Sequence, residues 1–125
     1  MKAITIKQPW ASLIINGYKK YEFRTWKTNY RGKVLIHAGL SIEKENIERF
    51  KHLNLNYDFG CIIGEAEIVD CIFVDDKFKE ELIKIDNEVY KNSSGYGFKL
   101  ENIVKYEEPI YCKGKLSFWE YDLEN

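Results

Sequence analysis

Lys19, Glu22 and Arg24 fall within one six-residue stretch, with Trp10, Tyr21 and Trp26 close by in the chain. Each type has its own chemistry. An ammonium beside aromatic rings is poorly solvated, which lowers its pKa and frees a neutral amine to act as base or nucleophile. A single carboxylate among cations can serve as a general base, or accept a hydrogen bond from the exocyclic amine of a nucleobase. A guanidinium grips phosphate or carboxylate through its planar fork. Aromatic rings stack bases, at ~1–3 kcal/mol per base. Lys19 and Glu22 are the catalytic candidates if the protein is an enzyme. Gln8, Trp10, Ser12, Lys19, Glu22, Arg24 and Trp26 are the ligand-binding candidates. Each has a structural reading beside the functional one. Glu22 and Arg24 at i, i+2 of a strand can simply pair, Trp10 shares a helical face with Leu13 and Ile14, and Gln8 can be a plain helix cap.

The elements that must position these groups follow from pattern. Residues 3–7 alternate apolar and polar, as a half-buried strand does. Pro9 suits the first turn of a helix, and Gly17 supplies a left-handed stop, so a short helix is expected at about 9–16. Residues 20–24 alternate again, which puts Lys20, Glu22 and Arg24 on one face of a strand and Tyr21 and Phe23 on the other. Lys19 stands at the entrance to this strand, its face undetermined. A loop over 28–32 leads to a central strand at 33–38. Ser41 is a candidate cap for a helix with Ile42, Ile47 and Phe50 inside. Residues 60–74 are rich in β-branched types and read as a long strand region. Asp75 and Asp76 cap a helix with Phe78, Leu82 and Ile83 on its apolar face. Residues 96–100 form a strand, Glu101 and Asn102 a turn, and residues 116–121 a closing strand. About six short strands and two or three modest helices imply an α+β fold, a small curved sheet that closes into a barrel.

The charge is unevenly placed. Residues 1–37 carry eight Lys or Arg against the single acid Glu22, although the whole chain is at −1. Such a basic end suggests an anionic partner, and Lys7, Lys20, Lys27, Arg31 and Lys33 are the candidate phosphate contacts. A chain of 125 residues, 45% hydrophobic, is expected to form one domain over 1–125 with a proper core. It lacks an apolar run near the roughly 20 residues of a membrane helix, and its charged start does not read as a signal peptide. A cytoplasmic location without membrane association is expected. Cys61, Cys71 and Cys112 make no metal or redox spacing, and His37 and His52 are isolated, so neither metal nor cofactor is expected.

Several segments together resemble a known family. Residues 4–13 with Gln8-Pro9-Trp10-Ala11-Ser12, then Gly17-x-Lys19-x-x-Glu22-x-Arg24-x-Trp26, and residues 31–38 look like the ASCH domain, the activating signal cointegrator homology domain. Residues 60–71 and the tail with Tyr96-Gly97-Phe98, Pro109-Ile110, Gly114 and Phe118-Trp119 match as well. The resemblance implies a PUA-like fold, a small β-barrel with flanking short helices and a cleft beside the first helix. It implies a nucleic-acid or modified-nucleobase binding module, with RNA, another single-stranded nucleic acid or a modified nucleoside as partner. It also implies two alternatives: a metal-independent amidohydrolase of N4-acetylcytidine-type nucleosides with Lys19 catalytic, and a ribonuclease. The amidohydrolase branch has threonine where this chain has Glu22, and draws a glutamate from a later helical segment, where Glu80 or Glu81 could stand.

Overall fold

The computed structural model describes residues 1–123. Its elements run β1 (Lys2–Gln8), α1 (Trp10–Ile15), β2 (Tyr21–Arg24), β3 (Gly32–Ile42), α2 (Lys44–Arg49), a 3-10 turn at Lys51–Leu53, β4 (Cys61–Phe73), α3 (Asp76–Ile85), α4 (Asn87–Tyr90), β5 (Tyr96–Tyr111) and β6 (Phe118–Glu120). The six strands form one sheet in the order β2-β5-β4-β3-β1-β6. β1 and β3 are parallel, and the other neighbours are antiparallel.

The sheet is mixed and strongly curved but does not close into the expected barrel. Its edge strands, β2 with four residues and β6 with three, pair with β5 and β1 and not with each other. Side chains meet instead. The ring of Trp26, just past β2, lies 5.3 Å from the ring of Phe118 on β6. Arg24 Nη2 donates to the Thr5 backbone oxygen at 2.8 Å.

α1 lies inside the curl. It is only six residues long, yet Ala11 through Ile15 are all buried. Ile14 and Ile15 pack into the main core with Ile4, Ile6, Ile36, Ile63, Ile68 and Phe98. Leu13 points the other way, into a second cluster with Phe50, Leu82, Val89 and Tyr90. The helix is thus a wedge that joins the sheet to α2, α3 and α4. An isolated helix this short would not form in water, so packing holds it.

Three local expectations change. Ser41 does not cap a helix, because β3 continues to Ile42 and Glu43 stands at the helix entrance. Glu101 and Asn102 do not end a strand. β5 runs on to Tyr111, with Asn102 at φ 52° absorbing an irregularity where the pairing with β4 shifts. The last strand covers Phe118–Glu120 only.

Candidate functional site

Gly17 starts the construction. At φ 84° it reverses the chain after α1, and the amides of Tyr18 and Lys19 both donate to the Leu13 oxygen, at 2.9 and 3.2 Å. That fold-back lays Lys19 against the helix end before β2 begins. Lys20 is exposed just before the strand begins at Tyr21, and its backbone oxygen accepts from Leu100 N at 2.8 Å. Tyr21 turns to the second cluster and packs edge-on against Phe78 and Tyr90.

The three charges meet. Lys19 Nζ donates to Glu22 Oε1 at 3.3 Å, and Arg24 holds Glu22 Oε2 through Nε at 2.9 Å and Nη2 at 2.8 Å. Lys19 is 5% exposed and Glu22 7%. The ammonium also lies 5.3 Å from the ring centre of Trp10 and 5.0 Å from that of Phe23, within cation–π range. Burial is the largest influence on Lys19 and pulls its pKa below the ordinary 10.5. The Glu22 carboxylate opposes this, Arg24 adds to it, and Glu43 opposes it weakly. Desolvation wins, so charging this amine costs more than its ion pair returns.

Above the three charges opens a cleft of about 590 Å³, lined by Lys7, Trp10, Lys19, Glu22, Phe23, Arg24 and Glu43, with Lys115, Leu116 and Ser117 also contributing. This is within the size range of small-ligand sites. Of the sequence candidates, Trp10, Lys19, Glu22, Arg24 and Lys7 come together here.

The others lie elsewhere. Gln8 is wholly buried as a helix-start brace: its Oε1 accepts from Ser12 N at 2.9 Å, and its Nε2 donates to Asp58 O at 3.0 Å. Ser12 Oγ donates to Asn56 O at 3.2 Å. Trp26 packs on Phe98 and Phe118 and does not line the cleft. Lys20 and Lys27 are exposed away from it. Arg31 and Lys33 sit on the sheet beside acids of β4, pairing with Asp70 at 3.8 Å and Glu65 at 3.1 Å. The acidic part of the chain thus neutralises some of the basic end. Glu80 and Glu81 are exposed on α3, outside the cleft. His37 is buried as well, its Nε2 donating to Cys112 O at 2.8 Å and its Nδ1 facing Thr5 Oγ1 at 3.2 Å.

Three cleft residues were not anticipated. Glu43 Oε1 accepts from Trp10 Nε1 at 3.1 Å and from Asn46 Nδ2. Ser93 is 4% exposed, and its hydroxyl has no hydrogen-bond partner among the described residues. Lys115 arrives on the segment between β5 and β6. The break at residues 109–114 was visible in the sequence, but not where it delivers the chain.

Comparison with known proteins decides the family. The ASCH domain model matches residues 4–110. The chain belongs to the ASCH domain family. Among curated proteins it is similar to activating signal cointegrator 1 of Homo sapiens, 28% identical over 133 residues, covering 95% of this chain and 22% of that protein. The Mus musculus protein of the same name gives the same identity and coverage over 131 residues. The chain therefore spans about a fifth of the length of these curated relatives. Among solved structures, ASCH from Zymomonas mobilis superimposes with a TM-score of 0.62 at 15% identity, covering 98% of this chain and 88% of that one. A tyrosine-to-phenylalanine mutant of the Zymomonas mobilis protein gives 0.54 at 16% identity, covering 88% of this chain and 74% of that one. At such identities the likeness concerns the fold. The α+β, PUA-like architecture expected of an ASCH domain is present, with an open sheet in place of the closed barrel. No helix among the described residues is long and apolar enough to cross a membrane.

Proposed function

We propose that this ASCH domain binds a single unstacked base of RNA, or a modified nucleoside, in the cleft above Lys19. The observation that carries the reading is the convergence of Lys19, Glu22 and Arg24 in one concave space that Trp10 also lines, with the Lys19 ammonium against the Trp10 ring. Single-stranded RNA is read by stacking splayed bases on aromatic rings and bonding their edges, which this combination suits. The PUA-like fold is itself associated with RNA binding.

The polar groups have distinct roles. Glu22 already accepts three close contacts from Lys19 and Arg24, so it mainly holds the two cations in place. Lys19 keeps ammonium protons beyond the one given to Glu22, and Arg24 Nη1 has no partner among the described residues. Both are donors suited to a ligand carbonyl. Lys7 and Lys115 at the edge supply charge for a phosphate. Titration of labelled single-stranded RNA at two salt concentrations tests the reading. Salt-sensitive binding that Lys19→Ala abolishes is expected. Binding indifferent to Lys19→Ala would remove it.

One observation supports a second reading, hydrolysis of N4-acetylcytidine. Lys19 is a buried amine with a lowered pKa, the condition under which lysine becomes a base. Water would add to the acetyl carbonyl, the C–N bond would break, and acetate and cytidine would leave. Release of cytidine by wild type but not by Lys19→Ala supports it, and no release above that control retires it.

A further inference from the structure

The two carboxylates of the cleft are not equivalent. Glu22 is taken up by Lys19 and Arg24, and its acceptor capacity is nearly used. Glu43 is different. Its Oε1 receives Trp10 Nε1 and Asn46 Nδ2, while Oε2 has no partner among the described residues. Glu43 lines the cleft, and its amide is tied to the Gln8 oxygen at 3.1 Å. The same carboxylate therefore fixes the indole plane and leaves one oxygen free beside it.

We propose that Glu43 is the specificity-determining residue of the cleft, accepting a hydrogen bond from the exocyclic amine of a base laid against Trp10. The proposal rests on the base-binding reading and extends it to the class of base. Lys19 and Arg24 Nη1 are donors and match a carbonyl. Glu43 Oε2 is an acceptor and matches an amine. Cytosine presents an amine and a carbonyl on one edge. Uracil has the same shape but puts a carbonyl oxygen where the amine would be, and that oxygen would face the carboxylate. Such a mismatch is rejected far more strongly than a missing methyl, because the polar group of the site is left unpaired or repelled.

The test uses CMP and UMP as matched probes, titrated calorimetrically into the protein and into Glu43→Gln. Glutamine retains an oxygen for the indole N–H and replaces the free acceptor with an NH2 donor. Wild type is expected to favour CMP by roughly tenfold. In Glu43→Gln that preference should vanish or invert, with the melting temperature held within about 3 °C. A CMP preference that survives Glu43→Gln overturns the role of Glu43 and leaves the base-binding reading intact. Equal wild-type affinity for the two nucleotides also overturns it. If wild type binds neither nucleotide, both the base-binding reading and this extension of it fail.

Discussion

Arg24 Nη2 donates to the backbone oxygen of Thr5 at 2.8 Å, joining β2 to β1, strands that stand four places apart in the sheet order. The curl of the sheet makes this possible. Where a barrel would continue its ladder, this fold uses the Trp26–Phe118 ring contact and the Arg24 guanidinium, and the guanidinium also clamps Glu22. One of the side chains that bridge the curl is thus the one that orders the candidate site.

Arg24→Ala should therefore destabilise the fold as well as weaken binding. It removes the tie and leaves Glu22 facing Lys19 alone, a change of about 2–4 kcal/mol. Arg24→Lys should fall between the two, since an ammonium restores the charge but not the fork. Urea unfolding of the three proteins measures both, and a loss below about 0.5 kcal/mol for Arg24→Ala would show that the tie contributes nothing.

Lys19→Met should separate binding from stability. Burial lowers the Lys19 pKa below 10.5, so the unfolded chain holds this proton more tightly than the folded one. The resulting penalty is fully present below the folded pKa and disappears as pH rises to the unfolded value of 10.5. Wild-type stability relative to Lys19→Met should thus increase as pH rises through the lowered folded-state pKa towards 10.5. The difference between urea midpoints reads it, because titrations common to both proteins cancel. At neutral pH the variant should be as stable as wild type or more so, yet bind RNA at least about tenfold more weakly.

Salt dependence distinguishes the lysines that border the cleft from those already paired. Lys7→Ala and Lys115→Ala should each reduce the slope of log affinity against log salt by roughly 0.7–1. Arg31→Ala and Lys33→Ala should leave it nearly unchanged, since those residues face Asp70 and Glu65 on another part of the sheet. Equal effects at all four positions would mean a diffuse electrostatic surface rather than a built cleft.

Gly114→Ala tests how the segment carrying Lys115 is placed. A Cβ at Gly114 would come within 2.5 Å of Thr5 Oγ1 and 2.7 Å of His37 Cε1. Both neighbours are held, because Thr5 Oγ1 also receives Trp119 Nε1 at 3.1 Å and His37 is buried. The segment must shift, at a cost of about 1–3 kcal/mol. RNA affinity should fall with it, while Gly17→Ala acts through its positive φ at the other end of the site. Thermal unfolding and RNA titration of Gly114→Ala check this, and an unaltered protein would mean that the segment has room to spare.

The sequence made the local half of the site legible. Strand alternation put Glu22 and Arg24 on one face, and Gly17 marked the reversal that delivers Lys19. What it hid was decided by partners far along the chain. Gln8 is consumed by Asp58, Trp26 by Phe98 and Phe118, and Lys33 by Glu65, each a contact between segments far apart in the chain that no local pattern encodes. Glu43 was hidden for the same reason. Only the pairing of β1 with β3 brings it beside Trp10. The expected barrel does not form because β2 pairs with β5 and β6 with β1, and the two edges do not pair with each other, a matter of strand order that local composition does not encode.

The central claim is that a base lies against Trp10 in the cleft, and the three indole N–H resonances report on it in one experiment. Titrating single-stranded RNA into nitrogen-15-labelled protein should shift the Trp10 indole signal most, since its N–H is bound to Glu43 inside the cleft. Trp26 should stay in place, packed on Phe98 and Phe118. A titration that moves Trp26 while Trp10 remains fixed would contradict the account.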